Sequence, residues 1–267
     1  MSKFYFGQFQ YTQSFFHKLN STVKILLVFY FIIIIFFFKT IQAYLLFFLF
    51  CLVLTMFTKI NFRSILLSFK PILFLLFFTI FFQLLFTQGT PLIHLGKIVI
   101  TKEGLDLSIF IALRLVILTF LTFLLTSTTT TVDLATGFKN IAQPLKILKF
   151  PVDELSLMIS ISLQFVPILF DEADRIMKAQ MARGADFESG NIFVRAKSFL
   201  PVIIPLVLNA FNRADELAIA MEARGFVIGA KRTSIRENKL GRNEFLAIGI
   251  SIIITLLLFI LEVRINA

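Results

Sequence analysis

Long apolar runs dominate the ends of this chain, and a charged, periodically patterned block separates them. Residues 23–38, 41–57, 65–86, 105–126 and 245–263 are apolar stretches near the length of about 20 residues that crosses roughly 30 Å of hydrocarbon. The block at 132–244 has a helical period instead, broken by Phe150-Pro151 and by the loop 184–191. Three helices are predicted there. The first covers 133–149 and stops because a residue before proline leaves helical geometry. The second, 153–181, opens on Asp153-Glu154, acids favoured at the positive end of the helix dipole. The third covers roughly 192–223, with a bend at Pro201 or Pro205, where a backbone donor is missing. Residues 155–170 and 199–211 are apolar too, but Ser156, Ser160, Ser162, Gln164 and Asp171-Glu172 interrupt the first, and two prolines sit in the second. Both are read as amphipathic helices at the inner face of a membrane rather than as spans. The expected fold is an all-α integral membrane protein with about five transmembrane helices and a cytosolic three-helix domain between the fourth and fifth spans.

Composition agrees with that class and charge adds a direction. Hydrophobic residues make up 58% of the 267, 36 are Phe, and charged residues are only 16%, against about a quarter in soluble domains; mean hydropathy is +0.89. Residues 1–102 hold nine Lys or Arg and no Asp or Glu, and so supply +9 of the net +10. Net positive charge concentrated in a span-rich region argues against a nucleic-acid partner and for the lipid bilayer. Lys3, Lys18 and Lys24 precede the first run, and Lys59, Arg63 and Lys70 lie between the second and third. Cytoplasmic loops collect such charge, which predicts an inside amino terminus and four spans returning the chain inside near Thr128. Of 42 charged residues, 28 fall in 132–244, as expected of an inserted cytosolic region. The organisation read from this is 1–131 transmembrane, 132–238 cytosolic and 239–267 a final span. The first run lacks a small-residue cleavage site and reads as a retained span, while the single Cys51 excludes an intrachain disulfide.

The charged block contains one phrase twice. Ala173-Asp174 is followed, after seven intervening residues, by Ala182-Arg183-Gly184; Ala214-Asp215 is followed at the same distance by Ala223-Arg224-Gly225, and Ala179 matches Ala220. Each Arg-Gly falls at the predicted end of a long helix, where glycine adopts the left-handed cap that other residues resist. An arginine in the last turn suits the negative end of the dipole and projects a fork able to bind carboxylates in bidentate fashion. The small Ala182 and Ala223 allow another surface close. One copy is an ordinary C-terminal cap; two matched copies point to recognition.

With those motifs the chain resembles the transmembrane T component of energy-coupling factor transporters (the EcfT/CbiQ-like family), the vitamin and micronutrient uptake machines of prokaryotes. Ser14-Phe15-Phe16-His17-Lys18-Leu19 before Lys24 resembles the family's amino-terminal signature, Thr101-Lys102-Glu103-Gly104-Leu105 the entry to its fourth span, and Pro167 followed by Ala179-Gln180 and Arg183 also fits. The resemblance implies a coupler in the cell membrane rather than an enzyme. Arg183 and Arg224 would dock into two ABC-type ATPase subunits, and the cytosolic coupling helices would carry ATP-driven closure to a substrate-binding membrane S component. No cofactor is expected on this chain; ATP and Mg would belong to the ATPase partners, and no G-x-x-x-x-G-K-[S/T] loop occurs here, the motif that cradles phosphates.

Other candidates have plainer readings. Arg114 lies inside the fourth run, a costly position that suggests function, although anchoring against a polar seam or a partner is the simpler role; Asp106, eight residues earlier, is too far along the helix to pair with it. The hydroxyls of 126–131 suit helix termination by bonding to carbonyls. His17 and His94 lack partners at ligand spacing, so no metal is expected. Asp171, Glu172 and Asp174 read as salt links to Arg175 and Lys178 or to a basic partner surface. Two rival classes are a self-sufficient carrier or channel and an integral-membrane enzyme acting on a lipid or prenyl substrate; both leave the repeat unexplained.

Overall fold

The computed structural model describes residues 14–58, 60, 62–95, 98–187, 189–227, 229 and 241–266. Lys3 and Lys59 of the basic segments lie outside the described residues, as does the His94 side chain. The chain divides into two compact units, 1–141 with 237–267, and 142–236.

The first unit is a helical bundle. A single turn, α1 (Phe15–Lys18), leads into α2 (Ser21–Ile35), α3 (Ile41–Thr58) and α4 (Phe62–Phe86); a hairpin, β1 (Pro91–Leu95) and β2 (Ile98–Thr101), leads into α5 (Lys102–Thr128) and α6 (Thr131–Ala142). The hairpin is antiparallel, with Ile93 opposite Ile100, and no strand is anticipated from the apolar runs. The last helix, α10 (Arg242–Asn266), packs on α2 and α3. Its core is aromatic: Phe31 meets Phe47 edge-on at 5.4 Å between ring centroids, Tyr44 meets Phe110 at 5.8 Å, and both Tyr44 and Phe47 are fully buried. Edge-to-face pairing is the preferred geometry for such rings. Gly137 brings α6 against α2, since a Cβ there would come within 2.6 Å of Ile25 Cδ1 and 3.1 Å of the Ser21 backbone.

Two acids hold α10 in register. Glu244 Oε1 accepts from the Asn20 backbone N–H at 3.2 Å, just ahead of α2, and its Oε2 accepts from Gly241 N–H at 2.9 Å. Glu262 Oε1 accepts from Lys39 N–H just ahead of α3. Both carboxylates are buried, and their 18-residue separation is five helical turns, about 27 Å on one face. The negative ends of these side chains complement the N–H-rich starts of α2 and α3.

The second unit contains a 3₁₀ segment (Gln143–Leu148), α7 (Val152–Ala182), α8 (Ile192–Ser198) and α9 (Leu200–Ala223). The expected helix at 133–149 is therefore split. Pro144 lies at the start of the 3₁₀ segment, and without an N–H it cannot continue the α ladder. Lys149 then takes a left-handed backbone, φ 59°. The expected 192–223 helix breaks at Phe199, so that Pro201 lies in the first turn of α9, while Pro205 stays inside it; a first-turn proline costs no hydrogen bond.

Among the described residues, six helical stretches are long and apolar enough to cross a membrane: α3, α4, α5, α7, the 192–223 pair and α10. The all-helical membrane class stands, but the count differs from about five. Helix α2 is shorter than its apolar run because the helix ends at Ile35, with Phe36 and Phe37 in a turn. By length and composition α7 and 192–223 join the set; few charges fall in their apolar stretches despite their serines and prolines.

Candidate functional site

The two copies of the repeated phrase end their helices in the same way. Helix α7 stops at Ala182, with Arg183 at φ −89°, ψ 7° and Gly184 at φ 87°. Helix α9 stops at Ala223, with Arg224 at φ −89°, ψ 9° and Gly225 at φ 74°. In the first, Ala185 N–H reaches the Gln180 carbonyl at 3.0 Å and Gly184 N–H the Met181 carbonyl at 3.0 Å. In the second, Phe226 N–H reaches Met221 at 3.0 Å and Gly225 N–H reaches Glu222 at 2.9 Å. Both are Schellman closures, which satisfy otherwise orphaned carbonyls and require a left-handed residue after the cap. A Cβ on either glycine would meet nothing within 4 Å. Glycine is needed here for its backbone conformation and not for space.

Around each tip the surface is open. Ala182, Arg183, Gly184, Ala223, Arg224 and Gly225 are all exposed. Neither guanidinium forms an ion pair among the described residues. The helices behind them pack on each other. Asn209 Nδ2 of α9 donates to Glu172 Oε1 of α7 at 3.1 Å, and Arg175 lies 3.9 Å from the same carboxylate. Of the acidic cluster, it is Glu172 that takes Arg175. From that crossing, Arg183 is 11 residues on and Arg224 is 15, lever arms of about 16 Å and 22 Å. Beyond the first tip, Phe187 is buried against Phe199 at 5.1 Å between centroids, pinning the chain that leaves Gly184.

Arg114 lies in the bundle and has a different task. Its Nη2 and Nε donate to Tyr44 Oη at 2.9 and 3.2 Å, and Tyr44 donates in turn to the Ile35 carbonyl at 2.8 Å, the last residue of α2. The guanidinium also lies 4.7 Å from the Phe36 ring centroid, within cation–π range. A positive group relayed to a helix C-terminus is electrostatically favourable, and this chain ties α5, α3 and α2 together. The threonines closing α5 bond backwards: Thr126 Oγ1 to Thr122 O at 3.0 Å and Thr128 Oγ1 to Leu124 O at 2.7 Å. Thr130 and Asp133 cap α6 reciprocally, at 2.7 and 3.1 Å.

Sequence reasoning missed Tyr44, Glu244 and Glu262, and read Lys24 as inner-loop charge beside the amino-terminal signature. The one local signal was the five-turn spacing of the two acids at the ends of the last apolar run.

Comparison with known proteins now decides the family. A family profile described as "CbiQ: Cobalt transport protein" matches residues 12–235. The chain belongs to the CbiQ/EcfT family. It is 41% identical over 256 residues to the "Energy-coupling factor transporter transmembrane protein EcfT" of Ruminiclostridium cellulolyticum, covering 96% of each chain. The Bacillus subtilis protein of the same name is 39% identical, over 97% of this chain and 99% of its own length, and the Staphylococcus aureus one 37%, over 98% of each. Family membership and six apolar helices make this a multi-pass membrane protein, the transmembrane component of an energy-coupling factor transporter.

Proposed function

We propose that this chain is the coupling subunit of an ATP-driven importer for a vitamin or micronutrient, in which Arg183 and Arg224 each engage one of two ABC-type ATPase subunits and α7 and α9 pass their movement to a substrate-binding membrane S component. The observation that carries the reading is the identity of the two Ala-Arg-Gly closures, at φ −89° in both arginines with both side chains exposed. Two equivalent tips suit two equivalent partners. A helix of 31 residues is about 46 Å long and stiff, so a rigid-body shift at its end reaches distant contacts with little loss. ATP and Mg belong to the partner subunits in this scheme. The amino terminus lies inside, with the regions 1–131, 132–238 and 239–267 serving as membrane, coupling and membrane segments; Lys3, Lys18, Lys24, Lys59, Arg63 and Lys70, all on the inner side of the first three runs in this scheme, support that orientation, by the positive-inside rule.

The test is uptake by the reconstituted complex carrying Arg183→Glu together with Arg224→Glu. Charge reversal at both tips is expected to reduce ATP-driven uptake at least tenfold with the bundle intact. Wild-type uptake by the double variant overturns the proposal, and ATP-independent uptake by the chain alone would favour a self-sufficient carrier.

A further inference from the structure

Residues 142–236 join the bundle at two points along the chain, after α6 and before α10. Both of these helices are fastened to one place, the first turn of α2. Asn140, in the last turn of α6, donates from Nδ2 to Thr22 Oγ1 at 3.0 Å, and Gly137, one turn earlier, packs against Ser21 and Ile25. Glu244, in the first turn of α10, accepts from the Asn20 N–H at 3.2 Å.

Lys24 completes the same turn. Its Nζ donates to the carbonyl of Thr128 at 2.9 Å, to Thr129 Oγ1 at 3.4 Å and to the His17 carbonyl at 3.3 Å. Thr128 is the last residue of α5, so the ammonium lies at the negative end of that helix dipole. The Asp133 carboxylate on α6 attracts the same ammonium. Residues 20–24 thus bond to α1, α5 and α10 and, through Thr22, to α6. Ser21, Lys24, Thr128, Thr129 and Glu244 are all buried. Breaking one of these bonds leaves a buried polar group unpaired, which costs more than the bond itself contributes. Bonds that share one buried turn support each other, so the turn favours opening as a whole over opening bond by bond.

We propose that the first turn of α2 is a single joint that locks α6 to α10, so that both chain connections to residues 142–236 move with α2 as one body. Its place in a transport cycle rests on the coupling role proposed above; the locking of the two helices does not. Asn20, Thr22, Lys24, Asn140 and Glu244 are its positioning residues.

Hydrogen exchange of the purified full-length complex in nanodiscs tests the joint, because local opening sets the exchange rate. Asn140→Leu cuts only the α6 bond and Glu244→Leu only the α10 bond. With one joint, Glu244→Leu should speed exchange in residues 131–142, and Asn140→Leu in residues 242–248, each by about fivefold, the low end for coupled sites. Glu244→Gln keeps a carbonyl acceptor for the Asn20 N–H and should restore the wild-type rate in residues 131–142. Two variants that each loosen only their own helix, or neither helix, overturn the proposal. In the wild-type complex, trapping with ATP and vanadate should change exchange in residues 131–142 and 242–248 together or in neither. A change confined to one of them also overturns it, and this comparison decides the matter even if a variant fails to fold. A complex that traps no nucleotide counts against the coupling role, while the two variants still judge the joint.

Discussion

The bundle and the 142–236 unit both expose many apolar residues, but only the bundle also buries a large set of them. Of the 21 buried apolar residues described, 18 belong to the bundle, whereas the other unit buries Val152, Phe187 and Val202. It leaves Met158, Phe170, Leu208, Phe211 and Ile219 more than half exposed. Polar contacts divide in the same way. The bundle is fastened by buried Lys24, Glu244 and Glu262 and by the Arg114–Tyr44 pair, while the other unit relies on the exposed Lys146–Asp153 bridge at 2.6 Å and the Glu172–Asn209 bond. The bundle has a core of its own. Exposed apolar surface on this scale marks contact with a bilayer or another protein, so the second unit is built to be completed by its surroundings, and its ends are the parts that repeat.

Substitutions separate the two regions most sharply where burial differs most. Phe47→Ala in the bundle should cost about 3 kcal/mol, the low end for a buried Phe because lipid replaces water as reference. Phe211→Ala, 65% exposed, should change stability by less than about 0.5 kcal/mol, both read from thermal unfolding in detergent. A Phe211→Ala loss equal to that of Phe47→Ala would show that the second unit has a core after all. Tyr44→Phe removes the hydroxyl that links Arg114 to the Ile35 carbonyl and should cost about 1.5–3 kcal/mol, as for hydrogen bonds to charged groups. Little change there would mean that Arg114 finds its main support elsewhere. Gly184→Ala and Gly225→Ala each place a Cβ on a left-handed residue, at about 1–2 kcal/mol. Because the space is open, the effect should be faster hydrogen exchange in the last turn and not a lower melting temperature. Lys146→Ala breaks an exposed bridge and should cost under about 1 kcal/mol, with added salt masking the difference.

Much of this fold is legible from local pattern. The apolar run 105–126 lies inside α5 (Lys102–Thr128), and 41–57 differs from α3 (Ile41–Thr58) by one residue, because length and hydropathy act locally. The two helix ends are legible for the same reason: glycine after a periodic run is local punctuation. Proline's placement was less so, since Pro144 and Pro201 each shift a boundary by several residues depending on where the helix restarts. The hairpin Pro91–Thr101 was missed because four- and five-residue strands carry little signal beside long apolar runs. Long-range pairings were out of reach. Arg114 and Tyr44 are 70 residues apart, Lys24 and Thr128 104, and Glu262 and Lys39 223, and nothing in the pattern around either partner names the other.

The claim that the repeated tips are an equivalent pair is tested most directly by counting partners. Native mass spectrometry of the purified complex should show two ATPase subunits on the wild-type chain, one on Arg183→Glu, one on Arg224→Glu and none on the double variant. Two subunits retained on both single variants and on the double would contradict the account and return the two arginines to the role of helix caps.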